Sequence, residues 1–98
     1  MIVSIRKRHG RNSKALENHA RRRVAFALDR FKERIGSVSL RFDEVAKGSP
    51  EKRCIVEATG QIEPAIVSAS GENYFAATNR AIHTLERMVS RSVDRQHA

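Results

Sequence analysis

Arg80, Arg87, Arg91 and Arg95 recur at helical spacing near the end of the chain. At about 100° per residue they fall within an arc of roughly 80°. A helix carrying them spans on the order of 30 Å, so the rail can follow successive phosphates of a nucleic acid rather than one bound anion. The alternative is a solvated arginine face. His83 and Thr84 lie beside the rail. Residues that could support other chemistry are sparse. His9, His19, His83 and His97 show no metal-ligand spacing with a carboxylate or thiol. No glycine-rich phosphate loop is present, and no serine sits in a nucleophile-elbow context. The expectation is therefore a binding protein, with no catalytic residues, no metal site, no cofactor and no small-molecule substrate.

Composition points the same way. Nineteen Lys and Arg against eleven Asp and Glu give the 98 residues a net charge of +8 and a pI near 10.8, a balance suited to a polyanionic partner. Neither helical pattern pairs a basic face with a bulky aromatic one, as an interfacial membrane helix would, so nucleic acid is favoured over a membrane. The opening run Met1, Ile2, Val3, Ser4, Ile5 is too short for a signal peptide or a span, which predicts a cytosolic location. Cys54 is the sole cysteine. Standing beside Ile55 and Val56, it is expected to act as a buried small hydrophobe rather than a reactive thiol.

These basic residues must be carried by regular elements. Val3 and Ile5 alternate with polar neighbours, which predicts a strand from Ile2 to Arg8, broken by Gly10, Arg11 and Asn12. Asn12 or Ser13 can cap a helix whose apolar stripe is Leu16, Ala20, Val24, Ala27, Leu28, Phe31 and Ile35, with Gly36 as its stop. Arg23, Arg30 and Arg34 line one edge of that stripe, and Lys14, Arg21 and Lys32 the other; Arg22 belongs to the same basic run. Phe26 falls off the stripe on the polar side. Its expected role is packing on arginine stems, with base stacking as the alternative.

From Ser37 to Glu44 the period becomes two, with Val38, Leu40 and Phe42 facing one way. After the loop at Lys47–Pro50, a strand over Arg53–Ile62 carries Cys54, Val56 and Ala58 on one face. Glu63 and Pro64 predict a turn, Ala65–Ala69 a short last strand, and Ser70–Glu72 the cap and acidic first turn of the final helix. That helix presents Phe75, Thr78, Ile82, Leu85, Val89 and Val93 to the core, with Tyr74, Ala81 and Met88 at the margin. The order β-α-β-β-β-α predicts one α+β domain over residues 1–98. Its strands form a four-stranded mixed sheet: an antiparallel meander that the first strand joins in parallel. Both helices cover the one apolar face, so their basic edges can meet in one groove or surface.

In this order and spacing, Ile5 with Arg8-His9, then Ala15-Leu16, Arg23, Arg30-Phe31 and Ile35, then Phe75-Ala76-Ala77 and Leu85-Glu86-Arg87, resemble the ribosome hibernation factors. That family comprises hibernation promoting factor and ribosome-associated translation inhibitor, and is also called the sigma-fifty-four modulation proteins. The resemblance covers nearly the whole chain and looks like the short type, without a dimerising C-terminal domain. It implies a fold akin to double-stranded RNA-binding domains and two parallel helices. The partner it implies is the small ribosomal subunit, bound through rRNA in the channel used by tRNA and mRNA, with idle ribosomes silenced under stress or in stationary phase. By position it implies Arg23, Arg30, Arg87 and Arg91 as RNA contacts. Arg22, Arg34, Arg80 and Arg95 complete the candidate RNA-binding set from the basic helix faces. The protein is expected to be monomeric alone. Departures from the family pattern are Lys7 for glycine, Phe75 for tyrosine, Asn79 for an acidic residue and Thr84 for lysine. The rival readings are a general structured-RNA binder and a basic adaptor for an acidic protein.

Overall fold

The computed structural model describes Met1–Arg6 and Asn12–His97. Its elements are β1 (Ile2–Ile5), α1 (Lys14–Leu28), a single 3-10 turn (Asp29–Phe31), β2 (Ile35–Glu44), β3 (Lys52–Gly60), β4 (Ile62–Gly71) and α2 (Tyr74–Gln96). The end of the expected first strand, the break at Gly10 and Arg11, the Arg8-His9 pair and the Lys7 departure lie outside the described residues. The sheet order is β1-β2-β3-β4. β1 runs parallel to β2, and the two hairpins that follow are antiparallel. This is the α+β arrangement that the alternation of periods predicts.

Alternation also decides what is covered. Val38, Leu40 and Phe42 from β2, Cys54, Val56 and Ala58 from β3, and Ala65 and Val67 from β4 are buried. Above them lie Leu16, Ala20, Val24 and Leu28 of α1 and Ala77, Ala81, Ile82, Leu85 and Val89 of α2. α2 packs on β3 and β4, and α1 lies beside α2. The helices run parallel, because their second turns meet at His19 and Asn79 while Arg34, just past α1, reaches Gln96 at the far end of α2. Among the described residues, no helix covers the opposite face of the sheet.

Several boundaries differ from the sequence reading, each for a tertiary reason. α1 stops at Leu28, and Ile35, expected on its stripe, instead opens β2 opposite Gly60, 2% exposed. Gly36 therefore lies in a strand. The β3–β4 reversal falls at Gly60–Ile62 rather than at Glu63-Pro64. Gly60 has φ +148°, and a Cβ there would sit 2.3 Å from the Gly36 nitrogen and 2.6 Å from the Arg34 carbonyl oxygen, so only glycine lets the two backbones approach. Pro64 is consequently inside β4, an edge strand where a missing N–H is tolerated. β4 extends to Gly71, and Ser70 and Glu72 do not cap α2. Asn73 does, accepting from the Ala76 N–H at 2.8 Å, and no acidic residue occupies the first turn. The Ser13 side chain caps α1, accepting from the Leu16 N–H at 3.0 Å.

On α2 the buried stripe is rotated from the expected one. Ala77 and Ser92 are inside, Val93 is half-buried and Phe75 is 40% exposed. The helix is seated from two directions, by the sheet below and by α1 alongside, and Phe75 falls on the α1 side.

Candidate nucleic-acid interface

The eight expected RNA-binding arginines occupy three kinds of position. Arg22, Arg87 and Arg91 are exposed and make no ion pair or side-chain hydrogen bond among the described residues. Their guanidinium groups are available to a polyanion without breaking anything in the fold.

Arg23, Arg30 and Arg34 lie where α1 faces α2. Arg30 pairs with Glu86 at 3.5 Å and stacks its guanidinium 4.5 Å from the Phe31 ring centroid. Arg34 follows α1 in the turn before β2; it donates to Gln96 Oε1 and lies 2.9 Å from His97 Nε2. Gln96 in turn donates to the Gln61 carbonyl at 3.0 Å, so Arg34 ties the end of α2 to the β3–β4 reversal. Arg23 is half-buried, and its Nε is enclosed without a hydrogen-bond partner.

Arg80 and Arg95 lie on the other flank of α2, toward β4. Arg80 donates to the Ser70 carbonyl at 2.8 Å, and Arg95 to Glu63 at 3.2 Å with both side chains well exposed. Arg21 does for β1 what Arg80 does for β4, donating to the Val3 carbonyl at 3.1 Å. Each edge strand thus has a carbonyl covered by a helix arginine, which blunts an otherwise open ladder.

The two basic edges therefore do not meet in one groove. By helical arithmetic the α2 residues that face α1, namely Phe75, Asn79 and Glu86, stand more than roughly 90° from the Arg80–Arg91 line. They are aromatic, neutral and acidic. His19 of α1 lies 2.8 Å from Asn79 Oδ1 and meets the Phe75 ring edge-on at 5.1 Å. Two of the departures from the family pattern, Phe75 and Asn79, thus converge on one histidine. The shared basic surface is instead the outward side of the helical layer, with Arg22 on α1 and Arg87 on α2, and with Arg91 at its margin toward β4, beside Glu63, Pro64 and Ala65.

These tethers left no mark in the linear pattern, because each joins residues far apart in sequence. One further pair on the bare face of the sheet was also missed: Arg53 grips Asp43 with bonds of 2.7 and 2.8 Å across the β2–β3 register. The Arg53 guanidinium holds the Asp43 carboxyl below the ordinary carboxylate range. Phe26, expected to pack on arginine stems, is 84% exposed, and the nearest guanidinium carbon, of Arg23, is 5.9 Å from its ring centroid. Cys54 is fully buried as expected, and burial pushes its thiol up to about 11.

No group of histidine, cysteine, aspartate and glutamate among the described residues is arranged to hold a metal ion. No helix among them is long and apolar enough to cross a membrane. Fold and surface define a small basic α+β fold in which two arginine-bearing helices are layered over one face of a mixed sheet. The chain belongs to the sigma 54 modulation protein / S30EA ribosomal protein family, whose model matches residues 3–97.

Two solved structures share its fold. One is a ribosomal subunit interface protein from Coxiella burnetii, 16% identical, with 93% of this chain and 96% of that chain covered and a TM-score of 0.76. The other is the N-terminal domain of Protein Y from Thermus thermophilus, 18% identical, with 93% and 98% covered and a TM-score of 0.77. No curated protein matches the sequence significantly.

Proposed function

We propose that this protein binds the small ribosomal subunit through the outward face of its helical layer, in the channel used by tRNA and mRNA. Bound there, it holds ribosomes inactive under stress or in stationary phase. The observation that carries the reading is the set of unengaged arginines, Arg22, Arg87 and Arg91, on one rigid surface of a chain with net charge +8 in this family. Arginines already satisfied by carboxylates would have to exchange partners to bind phosphate, whereas these three gain contacts on binding. Arg23, Arg30, Arg34, Arg80 and Arg95 are proposed as secondary contacts, recruited when phosphate displaces Glu86, Glu63 or a backbone carbonyl. The protein would act in the cytoplasm as a monomer that binds rather than catalyses.

One of the two structural relatives is a ribosomal subunit interface protein, and the extension of that role to this chain is tested by sedimentation. The purified protein is run through gradients with small subunits, with large subunits and with a ribosome-free RNA duplex. The expected result is co-sedimentation with small subunits at concentrations where the duplex is not retained. Equal retention by the duplex would make it a general structured-RNA binder. A partner that survives nuclease treatment in a pull-down would make it an adaptor for an acidic protein.

A further inference from the structure

The chain has four phenylalanines and one tyrosine. Phe31 and Phe42 are buried, Tyr74 is half-buried with its ring edge-on to Phe42 at 5.6 Å, and Phe75 rests against His19. Phe26 alone stands clear, more exposed than any other large hydrophobic side chain described. Arg22 lies one helical turn before it in α1, and Arg30 lies about one turn after it, in the 3-10 turn that continues α1. Arg22 and Arg30 are about 12 Å apart along the axis. The Arg23 guanidinium reaches only the outer limit of cation–π range, so it leaves the ring largely bare.

A bare aromatic ring bracketed by guanidinium groups has the composition of a single-strand nucleic-acid site. Cations hold the backbone, and the ring offers a π-face on which any base can stack. We propose that Phe26 is a stacking platform for an unpaired base of bound RNA, with Arg22 holding the phosphate on one side and Arg30, once phosphate displaces its Glu86 partner, holding that on the other. This rests on the reading that the helical layer binds RNA, and it adds to that layer a preference for unpaired over duplex segments.

The absence of tryptophan from the chain makes Phe26→Trp a single-site reporter, and Phe26→Leu removes the ring while keeping an apolar, helix-favouring side chain. Both variants and the wild type are titrated with a twelve-nucleotide single-stranded oligoadenylate, with an RNA duplex of the same length, and with small subunits. Phe26→Leu is expected to weaken oligoadenylate binding about five- to hundredfold while leaving duplex binding, the salt slope and the melting temperature unchanged. Phe26→Trp is expected to bind like the wild type, with its fluorescence quenched at saturation. Unchanged oligoadenylate affinity in Phe26→Leu, or an unquenched tryptophan, overturns the stacking site. So does a dimer that Phe26→Leu converts to monomer, since the ring would then be a contact between copies. If the wild type ignores small subunits while Phe26→Leu still loses oligoadenylate, the ribosomal reading falls and the stacking site stands. If subunits are bound and neither RNA distinguishes Phe26→Leu, the reverse holds.

Discussion

Cys54 shows how burial replaces reactivity. Its side chain is enclosed between the sheet and α2, and burial raises the thiol from an ordinary 9.0 to about 11, with the Thr78 hydroxyl acting in the opposite direction. The neutral form is favoured in the fold, so the linked stability is complete below pH 9. It declines as pH rises from about 9 to 11, because only the unfolded chain releases the proton there. Two pKa units correspond to about 2–3 kcal/mol. Cys54→Ala is expected to cost about 1 kcal/mol at neutral pH through lost packing and to flatten this alkaline limb. Urea midpoints at pH 7, 9 and 10.5 for both proteins check it, and parallel curves would show that the thiol carries no such linkage. RNA binding near neutral pH should be the same for the two. The burial was legible in the sequence because Cys54 alternates in phase with Val56 and Ala58. The state of each arginine was not, because Arg30 and Glu86 or Arg34 and Gln96 become neighbours only once the helices lie parallel.

Among the elements, periodicity identified every strand and both helices. It failed at their ends, where contacts between elements decide. The contrast between Gly36 and Gly60 makes the point. Sequence logic gave Gly36 the role of helix stop, yet a Cβ there would meet nothing closer than 3.6 Å, and the residue is an exposed member of β2. Gly60 looked like an ordinary residue inside a strand, yet it is where β3 turns against the start of β2, with the Gln61 N–H donating to the Arg34 carbonyl at 2.7 Å. Gly60→Ala is therefore expected to cost about 2–4 kcal/mol, from backbone strain and overlap with main-chain atoms that cannot rotate away. Gly36→Ala should stay within about 1 kcal/mol of the wild type. Chemical denaturation of the two single variants tests this. Similar losses in both would place the strain elsewhere than in the β3–β4 reversal.

For the molecule as a whole, the question is whether net charge or its placement drives binding. If only Arg22, Arg87 and Arg91 each neutralise one phosphate, affinity should fall about 40-fold between 50 and 200 mM salt. A fall of three orders of magnitude or more would mean that the tethered arginines have exchanged their internal partners for phosphate. Two triple reversals then separate placement from charge. Arg22, Arg87 and Arg91 to Glu alters the outward helical surface, while Arg6, Arg41 and Lys47 to Glu alters exposed positions on the bare face of the sheet and the β2–β3 loop. Both take the formal charge from +8 to +2, since each reversal changes it by two. Neither touches a buried side chain, so melting temperatures should move little in either. The helical triple is expected to abolish measurable co-sedimentation with small subunits at 100 mM salt and to remove about three units from the salt slope. The sheet triple should lose only the long-range attraction, a loss that fades as salt shortens the Debye length to about 10 Å at 0.1 M. Equal weakening in both would mean that the partner responds to charge without regard to where the fold puts it, and the helical layer would then have no claim as the binding surface.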